Sequence, residues 1–193
     1  MQLCIIWAAT QEGALTKLAR DVWFAALTVQ FWRCKKKPGQ PYRPSPRGFR
    51  VADIAKVLGV GETKLRGPLR ELDQAGIFRI TEEGPWFATS LSDLSVPDSV
   101  RARIRTMFDQ LHPNTRDKVI SVPQHLLKLI VQCRRKTVRL ATLLGLLLRI
   151  MLEKRTDQYG RHKGCCKGAW IANVFGVSVD RVKTERRHLI RES

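Results

Sequence analysis

At 193 residues, 44% of them hydrophobic, the chain is long enough for one or two small cores and too apolar for a disordered polymer. Its 35 lysines and arginines against 17 acids leave a formal charge of +18, an excess that suits a polyanionic partner. Five irregularly spaced cysteines with no Cys-x-x-Cys pair argue against a disulfide framework and fit a reducing cytosol.

Residues 1–9 are apolar but lack a basic leading region, so they do not read as a secretory signal. Residues 14–33 form the first strong helix, with Leu15, Leu18, Val22, Trp23, Ala26 and Leu27 at helical spacing. Trp7, Trp23, Phe24, Phe31 and Trp32 are expected in the core, not as a platform for stacked bases. Lys35-Lys36-Lys37 then runs into a stretch with four prolines in nine residues, where neither helix nor ladder is favoured. This loop is either a solvated connector or a basic arm along phosphates, with Lys35, Lys36, Lys37, Arg43 and Arg47 as contacts.

A short strand is expected at residues 49–51 and a helix over 52–58, with Ile54, Ala55 and Leu58 inward. Small Ala55 lets a second helix cross closely, and Gly59 permits the sharp turn before it. That second helix spans 62–75 and stops at Gly76. Pro68 lies inside it and cannot bond the carbonyl of residue 64, so the helix is expected to kink or to become regular from Pro68 onward. Next come Ile77-Phe78-Arg79-Ile80-Thr81, the turn Glu82-Glu83-Gly84-Pro85, and Trp86-Phe87-Ala88-Thr89, an alternation that reads as a β-hairpin with a four-residue loop. Helix, helix-turn-helix, hairpin is the order of a winged helix-turn-helix domain. Residues 12–90 resemble that DNA-binding superfamily.

Residues 72–100 carry five acids and one base, and their last part is a polar linker. A short helix bearing Arg101, Arg103 and Arg105 follows over 100–111, then an extended run at 119–123 and a helix over 124–132. Residues 137–154 form a long apolar helix, the counterpart of 14–33. Its most apolar part is too short to span a bilayer and contains Arg149. In the loop over 156–168, His162, Cys165 and Cys166 lack the further ligands of a tetrahedral metal set.

At this point the chain repeats itself. Ile54-Ala55-Lys56-Val57-Leu58-Gly59-Val60 returns 117 residues later as Ile171-Ala172-Asn173-Val174-Phe175-Gly176-Val177, followed again by a basic helix, over 179–190. Residues 33–71 and 134–191, the two strongly basic blocks, are those that contain the phrase. The sequence thus predicts a mainly α fold of two tandem winged-helix-like modules: 1–90 with a hairpin wing, 91–118 as linker, and 119–193 ending before a wing, either truncated or cut from a longer protein.

In a helix-turn-helix the second helix lies in the major groove. With Val182 and Leu189 inward, Asp180, Thr184, Arg187 and Arg191 face outward, flanked by Arg181 and Lys183. Arg187 is the candidate for a bidentate contact to guanine, and Arg181 and Lys183 for phosphates. The same construction on the first copy presents Thr63, Gly67, Arg70 and Gln74, flanked by Lys64 and Arg66. There Pro68 and the acidic hairpin tip weaken base reading and leave positioning, or pairing with a second protomer as a homodimer. Arg186 replaces Leu69 on the inward side, so its stem is expected to be buried and its guanidinium to reach water.

His112, His125, His162 and His188 have no nucleophile or acidic partner at a recognisable spacing, and neither a phosphate loop nor a nucleotide fingerprint is present. The expectation is a non-enzymatic, cytoplasmic, nucleoid-associated protein without cofactor, metal or small-molecule ligand, whose partner is double-stranded DNA. A transcription regulator is the leading role. Two such modules without a sensing domain also resemble plasmid-type replication initiators, which implies binding to iterated origin repeats. A protein–protein adaptor is the third reading, favoured only for the first module.

Overall fold

The computed structural model describes residues 2–33, 49–82, 84–87, 94–111, 124–152 and 166–191. The expectations for Lys35, Lys36, Lys37, Arg43 and Arg47, for the run 119–123, and for His162 and Cys165 lie outside them. The described residues are mainly helical, with a small two-stranded antiparallel sheet. Among them no helix is long and apolar enough to cross a membrane. The chain divides into two compact units, one of Gln2–Arg101 with Pro123–Val131, the other of Ala102–Val122 with Gln132–Ser193.

In the first unit, helix α1 (Gln2–Gln11) packs on α2 (Lys17–Arg33). Thr16 caps α2 by accepting the Ala19 N–H at 3.2 Å. Its own N–H donates to a Glu71 carboxylate oxygen at 2.9 Å, which places a negative charge at the positive end of α2. Trp7, Trp23 and Phe24 are buried as expected. Burial also pushes the Cys4 thiol on α1 above its ordinary value of 9.0.

Sequence reading did not find the buried ion pair of Arg20 and Asp21, at 2.9 Å inside α2. Its guanidinium carbon lies 5.9 Å from the Trp7 ring. Adjacent residues on a helix do not normally face each other, so nothing in the spacing announced it.

Helix α3 (Val51–Leu58), a 3-10 turn (Glu62–Leu65) and α4 (Arg66–Gln74) follow. Helix begins at Val51, so no strand forms at 49–51; instead the Phe49 N–H donates to the Pro85 carbonyl at 2.8 Å. Both α3 and α4 pack on α2. Pro68 falls in the first turn of α4, where its missing N–H has no helical acceptor to lose, and regular helix starts two residues before it. Gly67 helps: without a Cβ it escapes part of the clash that proline imposes on a preceding helical residue. Gly76, at φ 70°, ends the helix, and the Ile77 N–H closes on the Leu72 carbonyl at 2.9 Å.

The hairpin pairs β1 (Phe78–Thr81) with β2 (Gly84–Phe87) in the register Phe78 with Phe87 and Thr81 with Gly84. Two residues remain in its loop where four are expected, because Gly84, at φ 116°, turns the chain early and carries Pro85 into the strand. The hairpin is fixed by its aromatics. Phe87 lies 4.9 Å from Phe49, 5.2 Å from Phe78 and 6.5 Å from Trp23 of α2, centroid to centroid.

The division between units falls within α5 (Asp98–Asp109) and α6 (Gln124–Cys133). In the second unit α7 (Thr137–Leu152), α8 (Gly168–Phe175) and α9 (Val179–Arg191) pack on one another. Gly145 sits where α8 crosses α7, since a Cβ there would meet Ile171 at 2.8 Å. The Arg103 guanidinium on α5 donates to the Val174 carbonyl at 3.1 Å, satisfying the C-terminal end of α8. Trp170 of α8 donates its indole N–H to the Gln110 carbonyl at 3.0 Å, and Arg149 of α7 lies 5.5 Å from its ring.

Candidate nucleic-acid interface

The repeated phrase builds the same turn twice. Gly59 has φ 66° and ψ 39°, and Gly176 has φ 61° and ψ 44°, a left-handed conformation that costs glycine little. Behind each, the next residue closes back on the repeated alanine: Val60 N–H to the Ala55 carbonyl and Val177 N–H to that of Ala172, both 3.1 Å. The preceding helices are eight residues long in both units. Ile54, Ala55 and Leu58 are buried, as are Ile171, Ala172 and Phe175. Leu65 and Val182, the first inward residues after the turn, are both fully buried.

On α9 the outward positions fall where the periodicity puts them. Asp180, Arg181, Lys183, Thr184, Arg187 and Arg191 are all exposed. Three of the side chains are engaged locally: Lys183 pairs with the Asp180 carboxylate at 3.2 Å, and the Thr184 hydroxyl donates to the Asp180 carbonyl at 3.1 Å. Arg181, Arg187 and Arg191 have no ionic partner among the described residues. Of the inward pair Val182 and Leu189, only Val182 is fully buried, and Leu189 is half-buried.

In the first unit Thr63 and Lys64 lie on the 3-10 turn and Arg66, Arg70 and Gln74 on α4, all exposed. Arg66, Arg70 and Gln74 follow at four-residue intervals and share one stripe of regular helix, as do Lys183, Arg187 and Arg191. The stripes agree in register. The turns before them do not, because a 3-10 turn rotates about 120° per residue where an α-helix rotates about 100°. Thr63 and Lys64 are therefore set differently around their axis than Asp180 and Arg181.

Arg186 is half-buried, and it has a partner that the sequence did not announce: its Nη1 donates to the Cys166 carbonyl at 2.8 Å, just before α8. A second anchor was not foreseen: Arg139 of α7 meets Glu185 of α9 at 2.7 Å, largely shielded from solvent. These residues stand 46 apart in sequence, so no local pattern relates them. The one available signal was a pair of opposite charges beside two otherwise apolar faces. Arg186 and Glu185 fix α9, leaving its opposite face to the arginines. Compared with protein-family models, with curated proteins and with solved structures, the chain has no match.

Proposed function

We propose that this protein binds double-stranded DNA with sequence preference and without catalysis, as a transcription regulator, through two helix-turn-helix modules of which the first carries the hairpin as a wing. The observation that carries the reading is the repeated turn, matched in backbone angles and closing hydrogen bonds, each time followed by a helix with an exposed basic stripe. Lysine and arginine would supply affinity through phosphates, and base edges in the major groove would supply preference. Arg187 is the best placed for guanine: it is exposed, stands mid-helix, and has no ionic partner among the described residues. A bidentate contact of that kind discriminates by about 1–3 kcal/mol.

The test is affinity for genomic duplex fragments across a range of salt. Binding should weaken steeply as salt rises, and Arg181→Ala with Arg187→Ala should abolish sequence preference. Affinity and preference untouched by the double change would remove α9 as the reader.

The duplication itself favours a second reading, a replication initiator on iterated sites. Footprinting separates the two roles. An initiator protects several repeats and melts adjacent DNA, whereas a regulator protects a promoter and leaves it paired.

A further inference from the structure

The offset of 117 residues that aligns the repeated phrase also aligns charge, but only charge of one sign. Over residues 49–74 the bases are Arg50, Lys56, Lys64, Arg66 and Arg70. Four of these meet a base in the second unit: Arg50 meets Lys167, and Lys64 meets Arg181. Likewise Arg66 meets Lys183, and Arg70 meets Arg187. The acids of the same stretch, Asp53, Glu62, Glu71 and Asp73, meet no acid at all.

Folding does not require these cations. All eight are exposed, and among the described residues only Lys183 has an ionic partner, in an exposed pair of little worth. The first member of the set stands against local electrostatics. Arg50 and Lys167 immediately precede α3 and α8 in extended backbone, φ −78° and −70°, with no side-chain cap. Ser, Thr, Asp or Asn suits that position, and a cation beside the positive end of a helix is unfavourable. The same local cost is met twice. Because helix length, glycine angles and closing bonds agree, the step from Arg50 to the glycine turn recurs from Lys167.

We propose that each unit holds backbone phosphates of duplex DNA through the matched cations that do not read bases, Arg50 with Arg66 in the first and Lys167 with Lys183 in the second, and that Arg50 and Lys167, which lie outside the second helices, are phosphate contacts of equal weight. The inference rests on the DNA-binding reading above and adds that the two units grip the backbone alike, whatever their difference in reading bases.

The experiment measures the affinity of the full chain for a duplex of arbitrary sequence as a function of salt. Each phosphate contact contributes about 0.9 to the slope of log affinity against log salt. Arg50→Gln and Lys167→Gln should each lower the slope by about 0.9, equally in the two units, with unchanged helical circular dichroism. Arg50→Lys and Lys167→Arg should keep the wild-type slope. A wild-type slope in either glutamine variant, or a loss shared by the charge-keeping variants, overturns the proposal while leaving DNA binding intact. A wild-type chain whose duplex binding ignores salt overturns the DNA-binding reading instead.

Discussion

In the first unit α4 is held by apolar contacts and by structure on both sides of it; in the second, α9 is held by two polar anchors. Pro68, Leu69 and Leu72 are buried on α4, Glu71 reaches the start of α2, and the Asp73 carboxylate accepts the Ile80 N–H of the hairpin at 3.0 Å. On α9 the fully buried side chain is Val182, and the helix is tied by Glu185 to Arg139 and by Arg186 to the Cys166 carbonyl. Ile190, at the repeat position of Asp73, is 72% exposed. The repeated phrase dictates a turn, because a left-handed glycine and one closing bond suffice for it. It does not dictate how the next helix is docked, which depends on residues outside the phrase. A sequence repeat of this kind conserves geometry locally and leaves the means of support free to differ.

The largest test strikes the apolar support. Phe78, buried under the hairpin against Phe49 and Phe87, should cost about 3–5 kcal/mol as Phe78→Ala. Hydrogen exchange should then quicken in α4 and the strands while α7, α8 and α9 keep their protection. Equal loss in both units would mean that they are not separately supported.

Next in size is the polar support. Glu185→Ala removes a charged hydrogen bond from a shielded site and should cost about 1.5–3 kcal/mol, read as exchange of α9. A double-mutant cycle with Arg139→Ala should return a coupling of similar sign and at least half that size. Additive effects would show that packing around Val182, not the ion pair, sets the position of α9.

The shared turn should respond alike in both units. Gly59→Ala and Gly176→Ala each force a side chain into the left-handed region, at about 1–2 kcal/mol. A marked inequality in the unfolding free energies would show that one turn is strained by its surroundings and that the repeat is less faithful than its angles suggest.

What the sequence disclosed follows the same division between local and distant causes. Helical periodicity located the long helices, and the Ile-Ala-x-Val-x-Gly-Val phrase located both turns, since each depends on residues within a few positions. The hairpin was legible from its alternation, but its two-residue loop was not, because Gly84 and Pro85 read equally well as turn and as strand start. Pro68 looked disruptive until the 3-10 turn before it put the residue in a first helical turn. The Arg139–Glu185 and Arg103–Val174 contacts join residues far apart in the chain, and no periodicity encodes them. For the candidate interface, exposure of the α9 face was legible, whereas the local engagement of Lys183 and Thr184 by Asp180 was not.

The smallest expected effect is the most discriminating. Arg186→Leu gives the second unit the residue that the first has at Leu69, exchanging a polar anchor for an apolar one. It loses a charged donor to the Cys166 carbonyl, about 1.5–3 kcal/mol, and gains apolar burial of comparable size from a side chain whose polar end no longer needs a partner. The net change in stability should stay within about 1 kcal/mol, the difference of two similar terms. DNA binding separates the anchor from its neighbour. The Arg186 guanidinium is turned to a protein carbonyl, so Arg186→Leu should leave sequence preference intact, while Arg187→Ala, one residue on and exposed, should remove preference and leave stability intact. If the two substitutions weaken DNA preference equally, the polar contact of Arg186 is not an anchor, and the distinction between an apolar and a polar means of holding the second helix is lost.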